Sequence, residues 1–531
     1  MNPLQHSHPF SIATYLYRFL FLLLLPLLRG FLSALQGGLW AWVAGAWMDL
    51  LFLALLLTLS YLKWYTFQYH FDESGIFYTN GIFITAKTFI PAARISTFAV
   101  RQPFWLRPFG IAHVRVDTIA RDANKADLSF YTKRVEAERM YALCTSRSPL
   151  PRRGDGCFYQ PKLKNVIFSS VFTSNSLLGI LLLSTFISQA GKILGAEFSE
   201  SLFLLFEQAS REISVTLPAL TAGFFAFTLP PIAAGAAIIL LVGWLAAFVV
   251  NLLQTKGLFS LRYGQHLLIE AGVLMHKKYA LRLSDISFID IRQSLFTRIL
   301  GLYSVFIDAV GFAKDKSDIK AIIPFSRRGR ALQTLSQLLP GHSPSPRTLK
   351  PNAGALFKFI LVPLWPCLLL PAGTWAACIL LPSWAQMIRF AGLMLWLPAV
   401  WFLVVRVVDF STSGLSRRGN KFTLRYSSLY YLHTVIIKAD KISMVNIRQS
   451  ILQRPGGRCD CILLSRSEGR RRHHLRNLDR QAVLSLFDAE DSWIPADAGI
   501  PNWYERLAKR LLRLIRRDSG GKNSPPTQPI R

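Results

Sequence analysis

Arginine–glutamine pairs recur three times in this chain, each inside the same pattern of residues. The three stretches read RISTFAVRQPFWLRPFG from Arg94, DISFIDIRQSLFTRILG from Asp285 and KISMVNIRQSILQRPGG from Lys441. Each copy has a second arginine after the pair and then a glycine, at identical spacing. Guanidinium groups on an exposed strand suit the phosphates of anionic ligands. One hypothesis is therefore an anion-binding face built from Arg101, Gln102, Arg107, Arg292, Gln293, Arg298, Arg448, Gln449 and Arg454.

The same pairs also have a structural interpretation. Apolar and polar residues alternate along each stretch, which is typical of a half-buried strand. The glutamine falls on the apolar side of this alternation, where a buried amide usually bonds backbone groups. The pair would then hold a strand end or dock the segment on its neighbour. The sequence leaves both interpretations open.

The sequence contains no recognisable catalytic or metal-binding pattern. The six cysteines form no C-x-x-C pair, and no phosphate-binding loop, H-E-x-x-H or G-x-S-x-G motif occurs. His473 and His474 are adjacent, so on a strand they would point to opposite faces. We therefore predict a protein without enzymatic activity, cofactor or bound metal.

The elements that position the repeated motif include membrane spans. The chain of 531 residues is 51% apolar, and a helix needs about 20 mostly apolar residues to cross a bilayer. Such runs occur in three pairs: 15–36 with 39–62, 166–190 with 231–253, and 356–381 with 387–408. The segment 191–212 is then an outer turn, and 213–230 lies near the outer interface. Pro218, Pro230 and Pro231 could instead divide 213–253 into two spans, which the sequence leaves open.

Charge predicts the sidedness of these spans. Of the 61 lysines and arginines, 55 lie in 63–164, 254–356 and 406–531. Because basic residues favour the cytoplasmic side, we place these segments and both termini there.

Each of the three segments carries the repeated motif within a similar set of elements. Turn signals such as Asn80-Gly81 and Ala271-Gly272 separate short strands, and helical patterns follow at 133–144, 326–339 and 477–487. The predicted fold is membrane α + β: three repeats of a transmembrane helical hairpin followed by a small β-barrel or sandwich with a C-terminal helix. The predicted boundaries are 1–62, 165–253 and 346–408 for the hairpins, 63–164, 254–345 and 409–492 for the modules, and 493–531 for a basic helix and tail.

This motif and this order of elements resemble bacterial pleckstrin-homology (PH) domain membrane proteins, and three copies are similar to the YdbT-like group. The resemblance implies PH-like modules of seven strands capped by a helix, in a multi-pass protein of the bacterial inner membrane without enzymatic activity. It also implies cooperation with a smaller one-module PH-like membrane protein and an envelope-protective role. The third copy departs from the others at RPGGRCDC and at the basic run 470–474.

The C-terminal segment 502–517 alternates leucines with basic residues at helical spacing. This pattern predicts an interfacial amphipathic helix or, alternatively, a helix packed on the third module. Its candidate membrane-surface residues are Trp503, Arg506, Lys509, Arg510, Arg513, Arg516 and Arg517.

The sequence therefore predicts modules that bind anionic lipid or a protein partner. A scaffold for other membrane proteins, or a transporter that uses Asp49 within a span, is the alternative. Nucleic acid is not expected as a partner, because the basic residues are tethered to a surface that already offers phosphates.

Overall fold

The computed structural model describes residues 4–17, 47, 51–118, 127–145, 157–174, 196–221, 231–312, 321–450, 453–454, 456–466 and 471–491. Most of the first predicted hairpin, with Asp49, lies outside these residues. So does the second half of the 166–190 span. The predicted C-terminal helix, with Trp503, Arg506, Lys509, Arg510, Arg513, Arg516 and Arg517, is outside them as well.

Helices α1–α10 and strands β1–β20 are numbered here in chain order. Among the described residues, three helical stretches are long and apolar enough to cross a membrane: Gly235–Thr255, Ala353–Leu380 and Pro382–Thr412. Helices of the described residues that lie within the three predicted hairpin segments or at their ends are α1 (Leu51–Thr66), α3 (Leu163–Thr173), α4 (Ala196–Thr221), α5 (Pro231–Thr255), α8 (Leu356–Leu380) and α9 (Ala385–Thr412).

Helices α8 and α9 form a tightly packed antiparallel hairpin. A Cβ on Gly392 would lie only 2.1 Å from Cγ2 of Thr374, so the glycine permits the close approach. Trp396 donates its indole N–H to the carbonyl of Cys367 at 3.1 Å. This hairpin lies where the pair 356–381 and 387–408 was predicted.

Three strand-rich modules, each ending in a helix, follow one another along the chain. Module 1 (67–145) contains β2 (Gln68–Phe71), β3 (Gly75–Asn80), β4 (Ala86–Pro91), β5 (Ile95–Pro103), β6 (Ile111–Thr118), β7 (Leu128–Lys133) and α2 (Arg134–Thr145). Module 2 (259–338) contains β9 (Phe259–Tyr263), β10 (His266–Ala271), β11 (Met275–Arg282), β12 (Ile286–Ser294), α6 (Leu295–Ile299), β13 (Leu302–Ala309), β14 (Ala321–Arg327) and α7 (Arg328–Leu338). Module 3 (414–491) contains β15 (Gly414–Arg418), β16 (Lys421–Ser428), β17 (Tyr431–Lys438), β18 (Ile442–Arg448), β19 (Arg458–Ser465), β20 (Arg471–Asp479) and α10 (Arg480–Asp491).

The modules do not close on themselves, because neighbouring modules share their sheets. One sheet has the order β7-β6-β5-β11-β10-β9-β8, so the second half of module 1 continues into the first half of module 2. A second sheet, β14-β13-β12-β17-β16-β15, joins module 2 to module 3 in the same way. The small barrel or sandwich predicted for each module is therefore not a closed unit, since its sheets continue into the neighbouring module.

Hydrophobic clusters extend across the same junctions. The cluster around Phe98 and Tyr141 in module 1 includes Leu268 and Ala280 of module 2. The cluster of module 2 includes Ile436 of module 3. Modules 1 and 2 thus each complete part of their core with side chains from the module that follows. Each of these two junctions buries apolar surface that would otherwise face water.

A short extended segment before each membrane segment pairs with the first strand after it. Strand β1 (Gln5–His6) pairs with β2, and β8 (Cys157–Tyr159) pairs with β9. Leu349 makes a single antiparallel bridge to Leu415 in β15. We call these three pairings the clamps. In each clamp, the stretch of chain before an apolar segment therefore lies side by side with the stretch after it.

Two sequence-based expectations need correction. The stretch 191–212 was predicted to be a turn, but α4 runs without a break from Ala196 to Thr221. The ion pair between Glu207 and Arg211, at 2.7 Å and one helical turn apart, supports this helix. The resemblance implied seven strands in each module, whereas the described residues of each module form six. A clamp adds a short seventh segment from earlier in the chain.

Candidate functional site

The three glutamines of the repeated motif perform the same structural task. The side-chain amide of Gln102 donates to the carbonyl of Ile111, that of Gln293 to Leu302 and that of Gln449 to Arg458, at 3.3, 2.9 and 2.9 Å. Each acceptor opens the next strand. The glutamine therefore holds the turn between two adjacent strands closed.

The second arginine and the glycine of each motif form that turn. The glycine N–H bonds the carbonyl of the arginine three residues earlier, from Gly110, Gly301 and Gly457 to Arg107, Arg298 and Arg454. The three glycines have φ near +60°, a conformation that glycine adopts without strain. These contacts favour the structural interpretation for the glutamine and the glycine.

The first arginines of the motif have three different environments. Arg101 is 9% exposed in the sheet between modules 1 and 2, and its guanidinium lies 6.0 Å from the ring centroid of Tyr279. Arg292 donates to Asp290 at 2.5 Å and stacks on the ring of Phe306. Arg448 is exposed at the open end of β18. The structure does not bring these three arginines onto one common face.

Asp290 links the repeated strand of module 2 to module 3. Its carboxylate lies 3.0 Å from Nδ1 of His433 on the paired strand β17 and also accepts from Arg292. Burial alone would raise the pKa of this carboxyl, but His433 and Arg292 lower the pKa to about 2. The charged carboxylate is therefore a stabilising element of the junction.

Four arginines converge in a cavity of about 210 Å³ between modules 2 and 3. We call it the arginine pocket. Its lining includes no aspartate or glutamate, and the basic residues are Arg298, Arg328, Arg347 and Arg425. Gln293, Tyr303 and Thr434 also line it. Of the nine motif residues predicted to face an anion, the pocket includes Gln293 and Arg298.

Each arginine reaches the arginine pocket from a different element. Arg298 comes from α6, Arg328 from the first residue of α7, and Arg425 from β16. Arg347 lies in the linker before α8 and donates to the carbonyl of Ser411. Thr412, the last residue of α9, lines the cavity as well. The pocket therefore lies where a membrane helix meets the modules.

Unbalanced positive charge characterises the arginine pocket. Burial lowers the pKa of Arg425, and the nearby charges of Arg347 and Arg328 lower it further. Arg425 donates to the carbonyl of Ser345 through one nitrogen, while its Nη1 is buried without a hydrogen-bond partner. An anion with several oxygen atoms would satisfy this donor and offset the repulsion.

A larger cavity, of about 810 Å³, lies between the end of α1 and module 1. Its walls are mostly apolar or aromatic, with Leu56, Phe67 and Tyr78 among them, and Lys63 lies on the ring of Tyr15 at one side. Such a lining suits an apolar chain with a polar end.

The histidines of the basic run have ordinary structural partners. His473 is buried and bonds the hydroxyl of Tyr426 at 2.8 Å, while His474 faces Asp460 at 3.4 Å. Among the described residues, no group of three or more histidine, cysteine, aspartate or glutamate side chains could hold a metal.

Comparison with known proteins gives one match. The model of the bacterial PH domain family matches residues 19–148 and 213–340, which contain module 1 and module 2. Module 3 has the same order of strands and a terminal helix, although the match stops before it. Searches of the curated proteins and of the solved structures return no match.

Proposed function

Because the chain is a bacterial PH-domain protein with repeated modules, we propose that its modules bind the phosphate groups of anionic lipids at the membrane surface. We further propose three repeats of a membrane hairpin and a module, with the modules and both termini on the cytoplasmic side of the inner membrane. In this proposal the protein is non-enzymatic and supports envelope integrity or resistance to membrane-active agents.

The arginine pocket is the observation that carries the lipid-binding proposal. Its four arginines lie beside the end of α9, where a lipid headgroup would be found. A phosphodiester has oxygen acceptors for several guanidinium groups, and each basic residue near an anionic leaflet contributes about 1 kcal/mol. The concentration of basic residues in the three module segments supports the same orientation toward anionic lipid.

The test compares lipid binding by the full chain in detergent before and after two arginines are neutralised. Arg298 and Arg328 are exposed at the pocket rim, so Arg298→Gln with Arg328→Gln should leave the fold intact. At about 1 kcal/mol for each charge, affinity for phosphatidylglycerol should fall roughly 30-fold, as measured by native mass spectrometry. Affinity for phosphatidylcholine should change far less.

The matched control is Arg330→Gln, which removes an exposed charge from the same helix without lining the pocket. A loss of the same size in this control would refute the pocket as the binding site. Competition by inorganic phosphate tests the source of the anion. Tight phosphate binding without any preference for the anionic lipid would identify free phosphate as the ligand of the pocket and would overturn the proposal.

A further inference from the structure

The repeated strands of modules 1 and 2 each pair with a neighbouring module in the same register. Arg101 of β5 lies opposite Lys277 of β11, and Arg292 of β12 lies opposite His433 of β17. Both arginines are the first arginine of the repeated motif. Corresponding strands therefore meet at corresponding residues in the two junctions.

The third repeated strand has no such partner. Strand β18 is at the end of its sheet, which has the order β18-β19-β20, and no described strand pairs with its outer edge. Seven of the nine residues of β12 and eight of the nine in β5 are buried, whereas only Ile442 is buried in β18. Met444 is 46% exposed. This edge presents unpaired backbone groups and apolar side chains together.

A complementary free edge exists at the other end of the module array. Strand β4 precedes β5 as β11 precedes β12 and β17 precedes β18, and it ends the sheet β1-β2-β3-β4. In the described residues nothing pairs with its outer side. Phe89 of β4 is 51% exposed, and Phe83 just before the strand is 93% exposed.

Phe89 is exposed because no described strand pairs with the outer side of β4. Its counterpart in β11 is Ala280, which packs in the core of module 1, and its counterpart in β17 is Ile436, which packs in the core of module 2. At this position modules 2 and 3 each contribute an apolar side chain to the core of the preceding module. Among the described residues, no module lies on this side of module 1, and Phe89 is left 51% exposed.

We propose that β18 of one copy pairs with β4 of a second copy of this chain, in the register of the two internal junctions. Arg448 would lie opposite Ala86, Val445 opposite Phe89 and Met444 opposite Ile90. Pro91, which cannot donate a backbone hydrogen bond, falls outside the paired stretch. Its counterpart Arg282 is likewise outside the β5–β11 pairs. Both edges belong to the same chain and, in the topology proposed above, lie on the same side of the membrane, so the association is head to tail.

Cysteine crosslinking in native membranes tests the register. Two differently tagged copies are expressed together, one with Val445→Cys and the other with Phe89→Cys. Directly opposite residues on paired strands have Cβ atoms about 5 Å apart, which permits a disulfide after mild oxidation. Because neighbouring pairs differ in geometry, Met444→Cys with Ile90→Cys is tested as well. The matched control, Val445→Cys with Lys87→Cys, shifts the register by two residues and should crosslink at least ten-fold less.

The oligomeric state gives a second readout that does not depend on disulfide geometry. Met444→Lys places a charge on an already exposed edge, and it should reduce the purified assembly in detergent to single chains of 59.9 kDa. Val135→Lys, at a residue 78% exposed on α2, is the control and should leave the assembly unchanged.

The results separate the possible occupants of the edge. Crosslinks between tagged copies in the proposed register, lost with Met444→Lys, would support the proposal. Crosslinks from Val445→Cys to a different, smaller protein would assign the edge to that protein and overturn pairing between copies. Single-chain mass in the unmodified protein, or crosslinks that are independent of register, would also overturn it.

Discussion

Replacement of Asp290 by asparagine should loosen the junction between modules 2 and 3. The side chain of Asp290 is 4% exposed, so water screens its interactions with His433 and Arg292 only weakly. The pKa of its carboxyl is about 2, against an ordinary value of 3.8. One pKa unit corresponds to about 1.4 kcal/mol, so the ionised carboxylate contributes about 2 kcal/mol to the junction.

The pH dependence of this contribution has a definite sign. The folded-state pKa lies below the ordinary value, so the stabilisation is complete above about pH 4 and is lost as the pH falls through 2. Hydrogen exchange of the full chain in detergent measures the opening of β12 and β17. At pH 5 the amides of these strands should exchange about 30-fold faster in Asp290→Asn than in the unmodified chain. At pH 2.5 the difference should shrink to a few-fold.

The control is Glu138→Gln, which removes a carboxylate from an exposed ion pair with Arg134. Exposed pairs contribute little, so exchange should change less than about five-fold. An unchanged rate in Asp290→Asn at pH 5 would refute the reasoning. An acceleration of the same size at both pH values would also refute it, because it would show that shape rather than charge was lost.

Three further predictions follow from other contacts. Gly311 has φ +81°, and a Cβ there would lie 2.4 Å from the Cβ of Asp117, so Gly311→Ala should lower the Tm of the full chain by pushing modules 1 and 2 apart. Gln293→Ala removes the buried side-chain amide that donates to the Leu302 carbonyl at the turn. It should lower the free energy of unfolding by about 1 kcal/mol, measured by urea unfolding monitored through hydrogen exchange of β12. Burial raises the pKa of the Cys459 thiol to about 11 and that of Cys461 to about 12, so neither should react with maleimide at pH 7 until the chain is denatured, as measured by peptide mass.

The local elements of the modules could be predicted from the sequence. Alternating residues placed the repeated motif on a strand in each copy, and the predicted helices at 133–144, 326–339 and 477–487 overlap the observed α2, α7 and α10. The turn signals at Asn80-Gly81 and Ala271-Gly272 also lie between paired strands. These signals succeed because strand alternation and turn chemistry are properties of residues close together in the chain.

The sharing of sheets between modules could not be predicted in the same way. A strand at the edge of its own module and a strand that pairs with another module have the same alternating pattern. Ala280 and Ile436, which are the counterparts of Phe89 in modules 2 and 3, differ in size. The residue that enters the neighbouring core therefore cannot be recognised from its type. The pairing depends on three-dimensional register rather than on local sequence.

The arginine pocket was only partly accessible to sequence reasoning. Arg298 was among the candidates because the motif repeats, but Arg328, Arg347 and Arg425 occur in different elements and share no spacing. The only signal in the sequence was a general excess of basic residues. The helix α4 was missed for a different reason: its glutamates suggested a turn, although Glu207 and Arg211 stabilise a helix at their spacing.

The clamps change what counts as a domain in this chain. Strand β8 is synthesised before the second membrane segment, yet it hydrogen-bonds to β9, which is synthesised about a hundred residues later. In three dimensions the apolar segment 160–258 is thus an insertion into module 2, between the short strand β8 and strand β9. The module can complete its sheet only after the whole inserted segment has been synthesised.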